Sequence, residues 1–176
     1  MIQKTKTKTM TWFKSGILAG ALTLLGGGAF AADPPVTADV LNKLHESDQK
    51  EIEAGKLAQK NGQSQQVRDY GKMLVKDHTA ADKKVAGLAK KEKVSLSEGT
   101  PTSGGEMNDM SGMAGSAFDR RFAGDMVDDH KKDIAEVTEA RDSTKDQHLK
   151  KLLSDLLPTL QKHEDAAQKI VDTTVK

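Results

Sequence analysis

Four stretches of this chain repeat apolar residues at intervals of three and four, and that period constrains the fold more than any other feature. The first carries Val40, Leu41, Leu44, Ile52 and Ala58, and the second Val67, Tyr70, Leu74, Ala81, Val85 and Leu88. The third carries Phe122, Met126, Ile134 and Val137; the fourth carries Leu149, Leu152, Leu153, Leu156, Leu160, Ala167 and Ile170. Boundary signals agree with the period. Thr37 follows Pro34-Pro35 as a cap, Asn61-Gly62 is a stop, and Ser64 opens the second stretch. Ser116-Ala117-Phe118-Asp119 and Thr144-Lys145-Asp146-Gln147 read as capping boxes. The predicted helices span 38–60, 64–93, 117–142 and 145–174, and Pro158 predicts a kink in the last.

Strand formers are scarce, with only 3% aromatic residues. An all-α four-helix bundle is the simplest way to bury four amphipathic faces, with helices one and two as one hairpin and three and four as another. Between the hairpins lies a long Gly/Ser/Met-rich loop, Val94 to Gly115. At about 3.3 Å per extended residue it can run the length of a bundle, so a crossover and a simple up-and-down order both fit.

The N-terminus has a different composition. Lys4, Lys6, Lys8 and Lys14 precede an uncharged run centred on Ile17, Leu18, Leu22, Leu24 and Leu25, which closes with Ala29-Phe30-Ala31. That order of basic, apolar and small-x-small residues marks residues 1–31 as a cleavable signal peptide, cut near Ala31-Ala32. Residues 32–176 then form one domain, periplasmic or secreted. The apolar run is short and glycine-rich, so no stable membrane insertion is expected after cleavage. Without the leader the chain keeps 23 basic and 26 acidic residues, a net charge of −3. That balance argues against nucleic-acid binding. The absence of cysteine excludes disulfides, thiolate metal sites and a cysteine nucleophile.

Three histidines share one depth. His78 follows Leu74 by four residues, His130 lies four from both Met126 and Ile134, and His163 lies seven from both Leu156 and Ile170. Each points inward near the middle of its own helix. Glu51, seven from Leu44 and from Ala58, puts a carboxylate on the inner face of the first helix, and Glu53 is its neighbour less well in phase. A buried lone carboxylate is costly unless it is paired or bound to a cation. Three imidazoles and one carboxylate suit a single zinc, copper or iron ion; a hydrogen-bonded His–Glu network without metal satisfies the same pattern. Tyr70-x3-Leu74-Val75-x-Asp77-His78 is echoed by Phe122-x3-Met126-Val127-x-Asp129-His130. The two aspartates sit about 100° from the histidines, as solvated or supporting groups rather than ligands. In the loop, Met107, Met110 and Met113 recur at every third position. Thioethers favour copper(I), and a linker that merely tolerates methionine is the alternative.

Glu51-Ile52-Glu53-Ala54-Gly55-Lys56-Leu57-Ala58, Met73-Leu74-Val75-Lys76-Asp77-His78-Thr79, Met126-Val127-Asp128-Asp129-His130 and Leu157-Pro158-Thr159-Leu160-Gln161-Lys162-His163 resemble the bacterial exported family called domain of unknown function 4142. The resemblance runs from about Val36 to Ile170 and implies an exported, ferritin-like four-helix bundle. Di-iron sites of ferritin-like bundles use Glu-x-x-His on two helices. Here Val75, Val127 and Leu160 stand three residues before the histidines, which argues against a di-iron oxidase. No nucleophile–base pair or phosphate-cradling loop is visible either. The expected protein is a metal-binding bundle acting in envelope metal handling or stress protection. The alternative is a metal-free helical interaction module whose protein partner the sequence does not name.

Overall fold

The computed structural model describes residues 34–97, 110 and 112–174. The segment expected to be a leader, with its expected cleavage site, and Met107 lie outside them. Four helices follow in order: α1 (Pro34–Asn61), α2 (Gln65–Lys91), α3 (Gly115–Ser143) and α4 (Gln147–Thr174). The chain forms an all-α four-helix bundle, as the apolar period predicts, with no strand among the described residues. No helix among them is long and apolar enough to cross a membrane.

Local chemistry sets the helix ends. Ser64 caps α2, its hydroxyl accepting from the Val67 amide. At the other end Lys93 adopts a left-handed φ of 57°. There the Val94 amide donates to the Ala89 carbonyl at 2.8 Å and the Lys93 amide to Lys90 at 3.3 Å. This is the double-bonded helix stop that normally takes glycine at the left-handed position. A lysine there carries a steric cost of about 1–2 kcal/mol, partly recovered in lower unfolded-state entropy. Lys93→Gly is therefore expected to raise stability by about 0.5–1 kcal/mol, read from the midpoint of a urea titration.

Three of the expected caps are used differently. α1 begins at Pro34, where proline's fixed φ suits a first turn. Thr37 thus sits inside the helix and donates to Asp146 Oδ2 at 3.4 Å. At α3 the Ser116–Asp119 box does not form; the helix starts after Ala114 without a side-chain cap. Buried Asp119 instead accepts from the backbone amides of Gln63 and Ser64, both at 2.8 Å, and ties α3 to the α1–α2 turn. The cap of α4 is Asp146 rather than Thr144, since its Oδ1 accepts from the His148 and Leu149 amides. α4 continues through Pro158, which lies on the exposed face where water can satisfy the carbonyl left without its donor.

The topology follows from cross-helix partners. Thr37 at the start of α1 meets Asp146, just past the end of α3, while Asn61 at its end donates to the Met113 carbonyl just before α3. α1 and α3 are therefore antiparallel. Gln66 meets Thr173, and Lys91 meets His148, so α2 and α4 are antiparallel too. The order is up, down, down, up. α2 consequently ends at the opposite end of the bundle from the start of α3. The connection joins ends that stand about one helix length apart, roughly 40 Å. Its first residues turn back along α1, where the Ser97 amide donates to Asn42 Oδ1 at 2.7 Å.

Backbone contact fixes the register of the first hairpin. A Cβ on Gly55 would stand 2.6 Å from the Gly71 carbonyl oxygen, and one on Gly71 would stand 2.6 Å from the Gly55 oxygen. The helices thus touch at a point only glycine permits. Seven residues back from Gly55 is Asp48, and seven on from Gly71 is His78. The same antiparallel register sets those two side chains opposite each other.

The apolar interior comes in two parts. One holds Tyr70, Leu74, Phe118, Phe122, Met126 and Ile170, with Met110 also buried and Met113 packed beside it. The other is aliphatic, with Leu41, Val85, Val137, Leu149, Leu153 and Leu160 among its members. Buried Asp48, Glu51, His78, His130 and His163 occupy the mid-helix positions between the residues of these two sets.

Candidate metal centre

α2, α3 and α4 each deliver one histidine to the middle of the bundle. His78 is 3% exposed, and His130 and His163 are fully buried. The three rings lie 5.9, 5.1 and 5.3 Å apart, centroid to centroid, for His78–His130, His78–His163 and His130–His163. One nitrogen from each falls within 4.8 Å of the other two. The heptad positions that bury Leu74, Met126 and Ile170 on these helices also turn the imidazoles inward.

Each ring is held from behind. His130 Nδ1 lies 2.9 Å from the Met126 carbonyl oxygen, which can only accept, so Nδ1 carries the proton. His78 Nδ1 lies 2.8 Å from Asp48 Oδ1, and His163 Nε2 lies 3.2 Å from Asp77 Oδ2. The remaining nitrogens, His78 Nε2, His130 Nε2 and His163 Nδ1, are buried without any hydrogen-bond partner. With the outward nitrogens donating, the inward nitrogen of each neutral ring presents a lone pair, and His78 does so once it has given up its second proton. A carboxylate or carbonyl behind an imidazole, fixing its tautomer and orientation, is the arrangement that prepares histidine to ligate a cation.

Electrostatics keep two of the rings neutral. Burial, and then the His78 charge, push His163 down to about 4. Burial and the same charge lower His130. His78 goes the other way: burial opposes its protonation, but the Asp48 hydrogen bond and the Glu51 and Asp48 charges outweigh it. Glu51 is 1% exposed and is pushed up to about 7, chiefly by burial. Asp133, one turn beyond His130, is raised to about 6 by burial and by Glu51.

The sequence candidates sort clearly. His78, His130 and His163 meet. Glu51 is buried and its charge acts on His78, but it does not join the three nitrogens within the 4.8 Å group. Glu53 turns outward and pairs with Lys56 at 2.6 Å. Met110 is buried in the aromatic half of the core and Met113 packs beside it, while Met107 lies outside the described residues. Asp77 supports His163 across the helix pair, and Asp129 pairs with Lys50 of α1 at 3.1 Å. Asp48 was not among the sequence candidates, although it lies seven residues after Leu41 and three before Glu51 on the inner face. Among the described residues a second acidic–histidine group, Glu92, Asp146 and His148, lies near the surface. Lys91 Nζ stands 2.6 Å from His148 Nε2 there and opposes a cation.

The donor set does not fit two bridged irons, because no carboxylate shares the group with the imidazoles. It fits one ion that prefers nitrogen. A family model described as "Domain of unknown function (DUF4142)" matches residues 27–170. No match was found among curated proteins or among solved structures.

Proposed function

Since the chain belongs to the DUF4142 family, we propose its function from the site itself: it binds one transition-metal ion through His78, His130 and His163. The single observation that supports this is the set of three convergent, buried, unpartnered imidazole nitrogens whose opposite nitrogens are all anchored. Leaving such a group without a partner costs about 1–3 kcal/mol, and one nitrogen-seeking cation would remove the cost at all three. A nitrogen donor set favours zinc, copper(II) or iron(II) over magnesium or calcium. Acting behind the signal sequence, the bundle would handle or buffer such an ion in the cell envelope, as part of metal homeostasis or stress protection.

The test is a melt with and without metal. A ligand at a hundred times its Kd stabilises by about 2.7 kcal/mol, which for a chain of this size raises Tm by about 8 °C. Chelator-stripped protein is expected to show a rise of that order with one of zinc, copper or iron. His78→Ala, His130→Ala and His163→Ala should each abolish it. A rise that survives any of these substitutions, or no rise with any ion, would remove the proposed site. Variants that lose stability equally with and without metal would favour the metal-free module.

A further inference from the structure

We infer that the three-histidine site is coordinatively open, and that its remaining position takes a small exogenous ligand, water or a small anion, lying between Glu51 and Tyr70. This rests on the metal-binding reading above and extends it from storage of an ion to an ion that can exchange a ligand. Metal sites closed by four protein donors are structural, whereas three donors with a free position allow an outside molecule to bind.

Three observations lead there. First, α1 places no ligand atom within the 4.8 Å group, so only three of the four helices contribute a donor and the coordination shell is incomplete. Second, Glu51 Oε2 on that helix is buried and has no hydrogen-bond partner. Third, the Tyr70 hydroxyl is also buried without a partner. The Tyr70 ring stands edge-on to His163 with centroids 6.4 Å apart, and its hydroxyl feels the Glu51 charge. With the three histidine nitrogens and Asp48 Oδ2, whose carboxylate is already bonded to His78 through its other oxygen, the Glu51 and Tyr70 oxygens make six orphaned polar atoms on the residues around the site. A single ion satisfies the nitrogens. A further small molecule that both donates and accepts would satisfy the Glu51 and Tyr70 oxygens together. Water does so, donating to Glu51 and accepting from Tyr70. Because the histidines are at most 3% exposed, only a small ligand such as water or a compact anion suits the position.

The probe is azide added to the purified full chain carrying one equivalent of cobalt(II), read by visible absorption. A saturable change in the cobalt bands is expected. Tyr70→Phe, which deletes one hydroxyl, should weaken azide about tenfold, the equivalent of one hydrogen bond, while altering cobalt affinity less than about threefold. Glu51→Gln replaces the facing negative charge with a neutral amide and should tighten azide several-fold, to about the same extent as one charge–charge contact removed. Cobalt bands indifferent to azide would overturn the open position while leaving the metal site standing. A Tyr70→Phe protein that binds azide like the wild type would overturn the role of Tyr70. A Glu51→Gln protein that loses cobalt as the histidine variants do would overturn the open position and make Glu51 a ligand. Failure to load cobalt at all would overturn both this inference and the metal reading. Circular dichroism of each variant separates loss of the site from loss of the fold.

Discussion

Gly55→Val is expected to destabilise the protein by about 4 kcal/mol, enough to remove a large share of an ordinary domain's stability. The reason is geometric. At 2.6 Å from a Cβ stands a backbone oxygen, Gly71 O, which cannot swing away like the end of a side chain, and Val75 and Leu74 crowd the same spot at 2.9 and 3.1 Å. The helices must separate, and Ala54, Ala58 and Leu74 then lose their packing. Gly55→Ala costs less, about 2 kcal/mol, since alanine recovers about 1 kcal/mol of helix propensity. Gly87→Ala is the control. Nothing lies within 4 Å of its Cβ, so propensity acts alone and stability should rise by about 1 kcal/mol. Urea unfolding monitored at the helical band reads all three. A Gly55→Val protein as stable as the wild type would show that the hairpin does not depend on this contact. The Gly55 variant should also weaken metal binding, because separating the helices draws Asp48 away from His78.

The second large effect depends on pH. Glu51 has its pKa raised from 4.5 to about 7 by burial. The folded state therefore holds a proton that the unfolded state has already released between those values. The resulting stability is complete below about 4.5 and lost as pH rises through about 7. At 1.36 kcal/mol per pKa unit the loss amounts to about 3 kcal/mol. Glu51→Gln has no such proton to lose. The stability difference between it and the metal-free wild type should therefore shift by about 3 kcal/mol in the variant's favour between pH 4.5 and 8.5. Denaturant titrations at a series of pH values measure this, and a difference constant with pH would refute it. His130 and His163, whose pKa values burial lowers, act oppositely. His163, lowered to about 4 by burial and then by His78, stays neutral when folded while its unfolded form protonates. It costs stability as pH falls from about 6.5 towards 4. The stripped protein is thus expected to lose stability on both sides of mildly acidic pH.

Periodic features were legible in the sequence, and pairings between distant residues were not. His78, His130 and His163 could be found because each keeps heptad phase with leucine, methionine or isoleucine at mid-helix. Asp48 keeps the same phase with Leu41, yet in a helix so rich in charge one more acidic residue stands out only when its partner is known. The reciprocal fit of Gly55 and Gly71 requires the inter-helix register, which no local pattern encodes. Asp119 resembled a cap for its own helix because capping boxes are recognised by spacing, while the amides it binds belong to Gln63 and Ser64, over fifty residues earlier. Met110 lay in a Gly/Ser-rich segment whose methionine repeat has no flanking apolar helix face, so its burial could not be anticipated. The direction of α3 was undetermined for a similar reason: a long polar connection can return or cross at nearly equal cost, and contacts such as Asn61 with Met113 decide between them.

The polar layer at mid-bundle also bears on how the molecule comes apart. With aromatic side chains in one half and only aliphatic ones in the other, opening either end exposes its own apolar surface but little of its neighbour's. Cooperativity between the halves must pass through the helix backbones and through whatever joins the imidazoles. An ion seated there would act as a clasp, so its release could convert a bundle that melts as one unit into two that fray separately.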